Sequence, residues 1–325
     1  MNPAFASYPE QHALIAHLTE ALVVDGILEG PPVVVDRTQN IYSSTFPSEV
    51  VTCRMADGRE LKVLCKYADS HNDSHGNRGD IGYEAQVYRN ILRPGRVSAP
   101  AFYGVQNSRG DEFCLILEFL EGAAHLNKSE DSGAMLKAAR WIGKFHASHE
   151  TQLCESSIAF LKLYDLEYYQ GWVQRTLRFA GRLHPDFPWL KPLCRRFGKI
   201  LPELFSFPVT IIHGEYYPQN ILVQEGAIRP VDWQTAALAI GEIDLATLTD
   251  RWSEDITRQC VLEYRRARWP EGAPEDCERA WLMASLYLQF RWLGDRREWT
   301  RHESNLWRFE ALRLSGERLG LIPAG

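Results

Sequence analysis

The spacing of apolar residues changes once along this chain, near Glu121 and Gly122, and that change limits the folds open to it. Before this point short β-rich stretches alternate with turn residues, whereas after it apolar residues recur mostly at helical spacing. One β-rich block, residues 209–233, interrupts the helical part. We therefore predict an α+β fold with an N-terminal domain at residues 1–120 and a C-terminal domain at residues 121–325.

The N-terminal part is predicted to hold five strands and one embedded helix. The strands are expected at 33–36, 50–55, 61–67, 101–106 and 113–119. The pair Asp57 and Gly58 indicates a hairpin turn, and helices are expected at 11–28 and 81–92. Further on, helices are expected at 135–149, at 161–181 and through most of 243–319.

Composition excludes several classes of protein. Lys and Arg total 36 against 42 for Asp and Glu, so the chain offers no electrostatic footprint for nucleic acid. No apolar run approaches the roughly 20 residues of a membrane helix, and the first residues do not resemble a signal peptide. We expect a cytoplasmic protein with no membrane contact and no obligate protein partner.

Three polar residues in the β-rich block could carry chemistry. Glu215 and Asn220 lie in a loop between two short β-rich stretches, and Asp232 follows twelve residues after Asn220. Phosphoryl transfer needs a carboxylate that orients the attacking hydroxyl and oxygen ligands that hold Mg²⁺ against phosphates. The sequence therefore predicts Glu215 as the base and Asn220 with Asp232 as ligands of Mg²⁺.

A lysine and a glutamate in the N-terminal part fit the same chemistry. Lys66 lies near the end of the third predicted strand, and Glu84 lies near the start of the following helix. In kinases a strand lysine contacts the nucleotide phosphates and a helix glutamate holds that lysine. Lys62 lies on the same face of the strand and is the competing candidate, although we favour Lys66.

The loop His213-Gly214-Glu215 with Asn220, followed by Asp232, resembles the catalytic and metal-binding loops of the aminoglycoside phosphotransferase and choline kinase-like family. That family's loop reads His-Gly-Asp-x-x-x-x-Asn. The resemblance implies a two-lobed protein-kinase-like fold, with a small antiparallel sheet lobe containing one helix and a larger, mainly helical lobe. It also implies a kinase that transfers the γ-phosphoryl group of ATP or GTP to a hydroxyl of a sugar, amino alcohol or natural product.

The same resemblance suggests further nucleotide contacts. Between the first two strands, Ser43, Ser44 and Thr45 match a loop that covers the phosphates, although an ordinary hairpin turn fits equally well. At the link between the lobes, the resemblance places the carbonyl of Leu117 and the amide of Phe119 against the nucleotide base.

Two residues of the C-terminal part match family positions with a supporting role. By resemblance, His146 packs near the catalytic loop and Asp244 braces that loop by accepting backbone hydrogen bonds.

The chain departs from the family pattern at Glu215, where the family has aspartate, and at Gln234, where it often has glutamate. The longer Glu215 side chain keeps its charge but moves the carboxylate by one methylene. A nucleotide-binding pseudokinase with a regulatory or binding role is therefore the alternative reading. A protein kinase fits less well, because the chain lacks a Gly-rich loop and a His-Arg-Asp motif.

The acceptor is not defined by the sequence. Residues 251–325 contain 13 arginines, no lysine and 12 acidic residues, whereas a polycationic aminoglycoside would favour an acidic cleft. Six tryptophans in this segment could stack on a sugar or surround an ammonium group, although helix packing is the commoner role. They are Trp252, Trp269, Trp281, Trp292, Trp299 and Trp307.

Overall fold

The computed structural model describes residues 8–24, 30–41, 46–68, 79–108, 112–129, 133–150 and 156–324. These residues form two compact units. The first, which we call the sheet unit, takes its described residues from within 1–73, 78–124 and 222–235. The second, the helical unit, takes its described residues from within 125–221 and 236–325.

The elements are given in chain order. The α-helices are α1 (Gln11–Val24), α2 (Ile81–Val87), α3 (Ala134–His149), α4 (Leu166–Ala180), α5 (Leu190–Ile200), α6 (Glu242–Thr249), α7 (Glu254–Arg268), α8 (Cys277–Asp295), α9 (Arg297–Arg301) and α10 (Trp307–Arg318). The strands are β1 (Val33–Gln39), β2 (Ser48–Arg54), β3 (Glu60–Tyr67), β4 (Phe102–Ser108), β5 (Glu112–Glu118), β6 (Ala124–His125), β7 (Lys162–Leu163), β8 (Val209–Ile212), β9 (Ile221–Gln224), β10 (Ala227–Pro230) and β11 (Ala237–Ile240).

A five-stranded antiparallel sheet of order β1-β2-β3-β5-β4 organises the sheet unit. The predicted hairpin joins β2 to β3, and Gly58 adopts the positive φ of +86° that its turn requires. Because side chains alternate along a strand, Val63 and Cys65 of β3 face the apolar core that α1 covers. Lys62 and Lys66 therefore lie on the opposite face of β3.

Helix α2 begins at a side-chain cap, since Asp80 Oδ1 accepts a hydrogen bond from the Tyr83 amide at 2.7 Å. The helix lies where the sequence predicts it. Its continuation, Tyr88–Leu92, is π-helical, a geometry that apolar spacing does not distinguish from an α-helix.

The helical unit is built around α8, a 19-residue helix that packs on α4, α6 and α10. Large buried side chains fill this core, including Trp172, Phe197, Phe290 and Phe309. A small sheet of order β7-β11-β8 lies in the same unit, with Ala237 opposite Ile212. Strand β11 was not predicted, because four apolar residues are too few to establish a period.

The α+β class is confirmed, with a small antiparallel sheet in one unit and a larger, mainly helical second unit. Across the described ranges, no helix is both long enough and apolar enough to cross a bilayer.

Candidate functional site

In the sheet unit, Lys66 lies between two carboxylates. Its Nζ donates to Glu84 Oε2 at 2.7 Å and to Asp232 Oδ1 at 2.7 Å. The lysine and Glu84 side chains are 7% and 0% exposed, whereas that of Asp232 is 38% exposed. We call these three residues the lysine cluster; its formal charge is negative, because one ammonium faces two carboxylates.

Burial and charge compete in the lysine cluster. Burial alone would lower the pKa of Lys66, but the carboxylates of Asp232 and Glu84 raise that pKa overall. Burial raises the pKa of Glu84, and the ammonium of Lys66 opposes this shift. Each ionised group in the cluster thus depends on its partners.

The backbone around Asp232 supports this arrangement. Asp232 has a φ of +64°, in the left-handed region that non-glycine residues seldom adopt. The next amide, that of Trp233, donates to Glu84 Oε1 at 3.2 Å. Strained backbone of this kind is retained where the surroundings fix it, often at functional sites. Glu84 therefore holds both Lys66 and the chain beside Asp232.

The competing lysine has different surroundings. Lys62 forms an ion pair with Glu121, and the two side chains are 38% and 69% exposed. Of the two candidate lysines, Lys66 is the one that contacts Glu84 and Asp232, and Lys62 pairs with Glu121 instead.

In the helical unit, the loop that follows β8 is held by a buried carboxylate. Asp244 Oδ2 accepts the amide of His213 at 2.6 Å, and Oδ1 accepts the amide of Gly214 at 2.8 Å. Gly214 has a φ of +82°, so the chain turns sharply just before Glu215. Burial raises the pKa of Asp244 to about 6, although these two backbone bonds and His213 oppose the shift.

A hydrogen-bonded chain of buried side chains continues from Asp244. His146 Nε2 lies 3.1 Å from Asp244 Oδ2, and His146 Nδ1 lies 3.0 Å from the Tyr264 hydroxyl. Arg268 Nη1 donates to the same hydroxyl at 2.6 Å. A neutral His146 with its proton on Nε2 satisfies all these bonds, because Tyr264 then donates to Nδ1. Burial and the nearby Arg268 lower the pKa of His146, which favours that neutral form.

Glu215 lies in this loop and is paired with an arginine of α8. Arg291 Nη2 donates to Glu215 Oε1, and Arg291 Nη1 donates to the Tyr217 hydroxyl at 3.2 Å. The side chains of Glu215 and Arg291 are 10% and 7% exposed. Burial alone would lower the pKa of Arg291, but Glu215, Tyr217 and two further phenols raise it.

Asn220 ends the same loop and stabilises its backbone. Its Nδ2 donates to the carbonyl of Glu215 at 3.0 Å. Of the two predicted Mg²⁺ ligands, Asn220 lies in the helical unit and Asp232 in the sheet unit. Within the described ranges, no three His, Cys, Asp or Glu side chains are grouped as metal ligands. The predicted Mg²⁺ ligands are one amide and one carboxylate, and they differ from such a group of three because an Asn amide is not among the side chains that define it.

The predicted nucleotide-base contacts lie on or just after β5. Leu117 is opposite Leu64 on one side and Phe102 on the other, inside the sheet. The Phe119 amide donates to the Lys62 carbonyl at 3.4 Å. These two positions remain predictions that rest on the family resemblance. Ser43, Ser44 and Thr45 lie outside the described residues.

The structure adds Arg291 to the residues that the sequence singled out. The signal for it was an arginine between Phe290 and Trp292 in a helix that is otherwise largely apolar. A charge in such a position is buried only when it is paired. The second clue was Glu215 itself, because its side chain is one methylene longer than aspartate and carries its carboxylate further from the loop backbone.

The chain matches a known protein family over about two thirds of its length. Residues 68–280 match the model of the phosphotransferase enzyme family. No curated protein sequence matches the chain significantly.

Among solved structures, the chain is similar to a choline kinase from Cryptosporidium parvum Iowa II, with 14% identity, 97% and 98% coverage of the two chains and a TM-score of 0.66. It is also similar to a spectinomycin phosphotransferase in complex with ADP and spectinomycin, with 14% identity, 94% and 95% coverage and a TM-score of 0.58. A macrolide 2'-phosphotransferase from Brachybacterium faecium is 18% identical, with 91% and 97% coverage and a TM-score of 0.56. At these identities the likeness shows a shared kinase-like fold.

Proposed function

The chain belongs to the phosphotransferase enzyme family, and on that premise we propose that it is a kinase of small-molecule hydroxyl groups. The phosphoryl donor is ATP or GTP, and the acceptor is a small molecule with a reactive hydroxyl. Nucleotide binding is assigned to the N-terminal domain at residues 1–120, and catalysis and acceptor binding to residues 121–325.

One observation carries the proposal: Lys66 Nζ lies 2.7 Å from both Glu84 and Asp232. A buried lysine that is fixed by a helix glutamate can direct its positive charge at nucleotide phosphates. Glu84 also accepts the Trp233 amide at 3.2 Å, so it positions the lysine and the acid together.

The chemistry of the donors fits magnesium. Asp232 offers carboxylate oxygens on a side chain that is 38% exposed, and Asn220 offers an amide oxygen. Mg²⁺ selects oxygen ligands, and the net negative charge of the lysine cluster favours a cation. When bound with nucleotide, Mg²⁺ would neutralise charge that develops on the phosphates. Asp232 and Asn220 are the residues that would hold it.

Glu215 is the proposed base. Arg291 fixes the position of its carboxylate, and Asp244 fixes the backbone on its N-terminal side. An acceptor hydroxyl that donates a hydrogen bond to Glu215 would be oriented for attack on the terminal phosphorus, and its proton would pass to the carboxylate. The bond from that phosphorus to the bridging oxygen would break, and nucleoside diphosphate would leave. Such a base contributes roughly 10²- to 10⁴-fold to the rate, while positioning and electrostatics supply most of the rest.

The test is phosphoryl transfer by the purified full chain. Protein is incubated with Mg²⁺ and ATP or GTP, together with a panel of alcohols, sugars, amino sugars and nucleosides. Formation of nucleoside diphosphate and of a phosphorylated acceptor supports the proposal, provided that Asp232→Ala abolishes both. If neither nucleotide raises the melting temperature and none is consumed with any acceptor, the proposal is wrong.

A further inference from the structure

The surroundings of Glu215 bear on the charge of the acceptor. The groups that raise the pKa of the Arg291 guanidinium most are one carboxylate, Glu215, and three phenols, Tyr217, Tyr287 and Tyr168. Tyr168 and Tyr287 hydrogen-bond to each other through their hydroxyls at 3.0 Å. The proposed base therefore has a buried cation as its neighbour, and the phenols nearby are neutral because burial raises their pKa values.

A second ion pair lies close to the same tyrosine. Arg308 Nη2 lies 3.2 Å from Asp250 Oδ2, and the side chains are 7% and 10% exposed. Both residues interact electrostatically with Tyr217, as do Glu215 and Arg291. Glu215 and Asp250, the carboxylates that raise the pKa of Tyr217, are thus each paired with an arginine of this chain.

Three tryptophans of the same region also contact arginines of the chain. The guanidinium carbon of Arg308 lies 4.3 Å from the ring centroids of both Trp292 and Trp307. Arg296 lies 5.0 Å from the centroid of Trp299, and that ring stacks on Trp292 with centroids 5.9 Å apart. Each of these three rings already has a guanidinium of the chain within cation–π distance.

An ammonium group is recognised by aromatic rings or by carboxylates that lack a cationic partner. Among the described residues near Tyr217, the chain's own arginines contact the three tryptophan rings and pair with Glu215 and Asp250. An ammonium brought to Glu215 would meet a carboxylate whose charge Arg291 already balances, so its loss of solvation in this buried site would not be offset.

We propose that the acceptor of this enzyme carries no positive charge, so that it is a neutral or acidic hydroxyl compound and not an alkylammonium alcohol or amino sugar. The inference rests on the proposed function, because it takes Glu215 as the residue that the acceptor hydroxyl reaches. The inference restricts the charge of the acceptor. Trp292, Trp299 and Trp307 act in it as packing partners of arginine.

The experiment compares acceptors that match in size and differ in charge. One set is glycerol, glycerate and 2-aminopropane-1,3-diol, which are neutral, anionic and cationic. Two pairs extend it: 3,3-dimethylbutan-1-ol with choline, and glucose with glucosamine. We expect the kcat/KM for the uncharged or acidic members to exceed that for the cationic members by at least about tenfold, or about 1.4 kcal/mol. Glycerate against glycerol then separates an acidic from a neutral acceptor.

Variants of Arg291 test the cause. Arg291→Gln removes the charge and should reduce the preference against cations to less than about threefold, whereas Arg291→Lys keeps the charge and should preserve it. The matched control is Arg279→Gln, since Arg279 lies on the same helix, pairs with Glu203 at 40% exposure and is about 18 Å away along the axis. It should leave the preference unchanged. Because the wild-type comparison needs no variant, a misfolded Arg291→Gln does not block the test.

The outcomes separate this inference from the proposed function. Transfer to cationic acceptors at an equal or higher kcat/KM overturns the inference and leaves the kinase assignment intact. An unchanged preference in a folded Arg291→Gln also overturns it. Failure to transfer phosphate to any member of the sets or of the broader panel, with no binding of MgATP or MgGTP, overturns the proposed function and the inference together.

Discussion

The two units each bury a basic side chain beside a residue of the proposed machinery, but the charges balance differently. In the sheet unit, one ammonium, that of Lys66, lies between the carboxylates of Glu84 and Asp232. In the helical unit, the guanidinium of Arg291 pairs with one carboxylate, Glu215, and with the hydroxyl of Tyr217. The first cluster therefore has a formal charge of −1 and the second has none.

This difference separates two tasks. A cluster with an excess carboxylate on a partly exposed side chain favours a further cation, as a metal–nucleotide site requires. A balanced, buried pair does not favour a further cation, and it holds its own carboxylate in one place. In the proposed function, the sheet unit thus serves charged phosphates and Mg²⁺, and the helical unit serves a hydroxyl compound without a positive charge.

Removing the excess carboxylate of the lysine cluster should have the largest effect on activity. Asp232→Asn makes the lysine cluster neutral, and we expect turnover to fall by on the order of 10³-fold, because metal–phosphate interactions contribute several kcal/mol. Steady-state kinetics at saturating nucleotide and acceptor measure this loss. Asp36→Asn, an exposed acid on β1, is the control and should keep full turnover. Turnover within threefold of wild type in a folded Asp232→Asn would contradict the assignment.

Replacing each lysine of β3 in turn tests which of them binds the nucleotide phosphates. Lys66→Met leaves Glu84 without its ammonium, and we expect kcat/KM for the nucleotide to fall by about 10²-fold, as for loss of one charged transition-state donor. Lys62→Met removes only an exposed ion pair with Glu121, so the change should stay within about threefold. Initial rates at varied nucleotide concentration compare the two. A larger loss in Lys62→Met would reverse the assignment.

Shortening the Glu215 side chain tests its pairing with Arg291 in the helical unit. Glu215→Asp withdraws the carboxylate by one methylene from Arg291, and we expect kcat to fall by on the order of 10-fold, because small displacements of a reacting group are costly. Glu215→Gln keeps the length and removes the base, and should cost more. Higher activity in Glu215→Asp than in wild type would instead favour the pseudokinase reading. The kcat values of the three proteins are measured with the same acceptor.

The sequence predicted the lysine cluster more completely than the arginine pair, for a physical reason. Periodicity locates the strand that carries Lys66 and the following helix that carries Glu84, although it left Lys62 as a competing candidate on the same face of the strand. The β-rich part, the helical part and the hairpin at Gly58 also follow from local patterns. These features depend on residues that are close in the chain.

Arg291 and β11 were missed because each depends on partners that are distant in sequence. Arg291 lies 76 residues after Glu215, and no local period relates the two. β11 is only four residues long and is specified by pairing with β8 and β7. The π-helical turn at Tyr88–Leu92 was missed as well, because its apolar spacing also fits an α-helix. Tertiary contacts, and not local preference, decided these elements.

The smallest expected effect concerns the support of the catalytic loop and appears as a pH dependence of stability. The pKa of His146 is lowered by burial, so folded protein keeps it neutral while the unfolded chain takes up a proton near pH 6.5. Its contribution to stability is therefore complete above that pH and is lost as the pH falls, by up to about 1.4 kcal/mol per pH unit. Asp244 has the opposite sign, because its pKa is raised to about 6 and its contribution is lost as the pH rises through that value.

The difference between wild type and His146→Gln isolates the histidine, since glutamine keeps an N–H for Asp244 and does not titrate. Urea unfolding at pH 7.5, 6.5 and 5.5 should show the free energy of unfolding of wild type falling relative to that of the variant as the pH decreases. His12→Gln, an exposed histidine of α1, should follow wild type. If the free energy of unfolding of wild type instead rose relative to that of the variant as the pH decreased, folded His146 would be protonated. Asp244 would then brace the loop through an ion pair, and not through a neutral hydrogen bond.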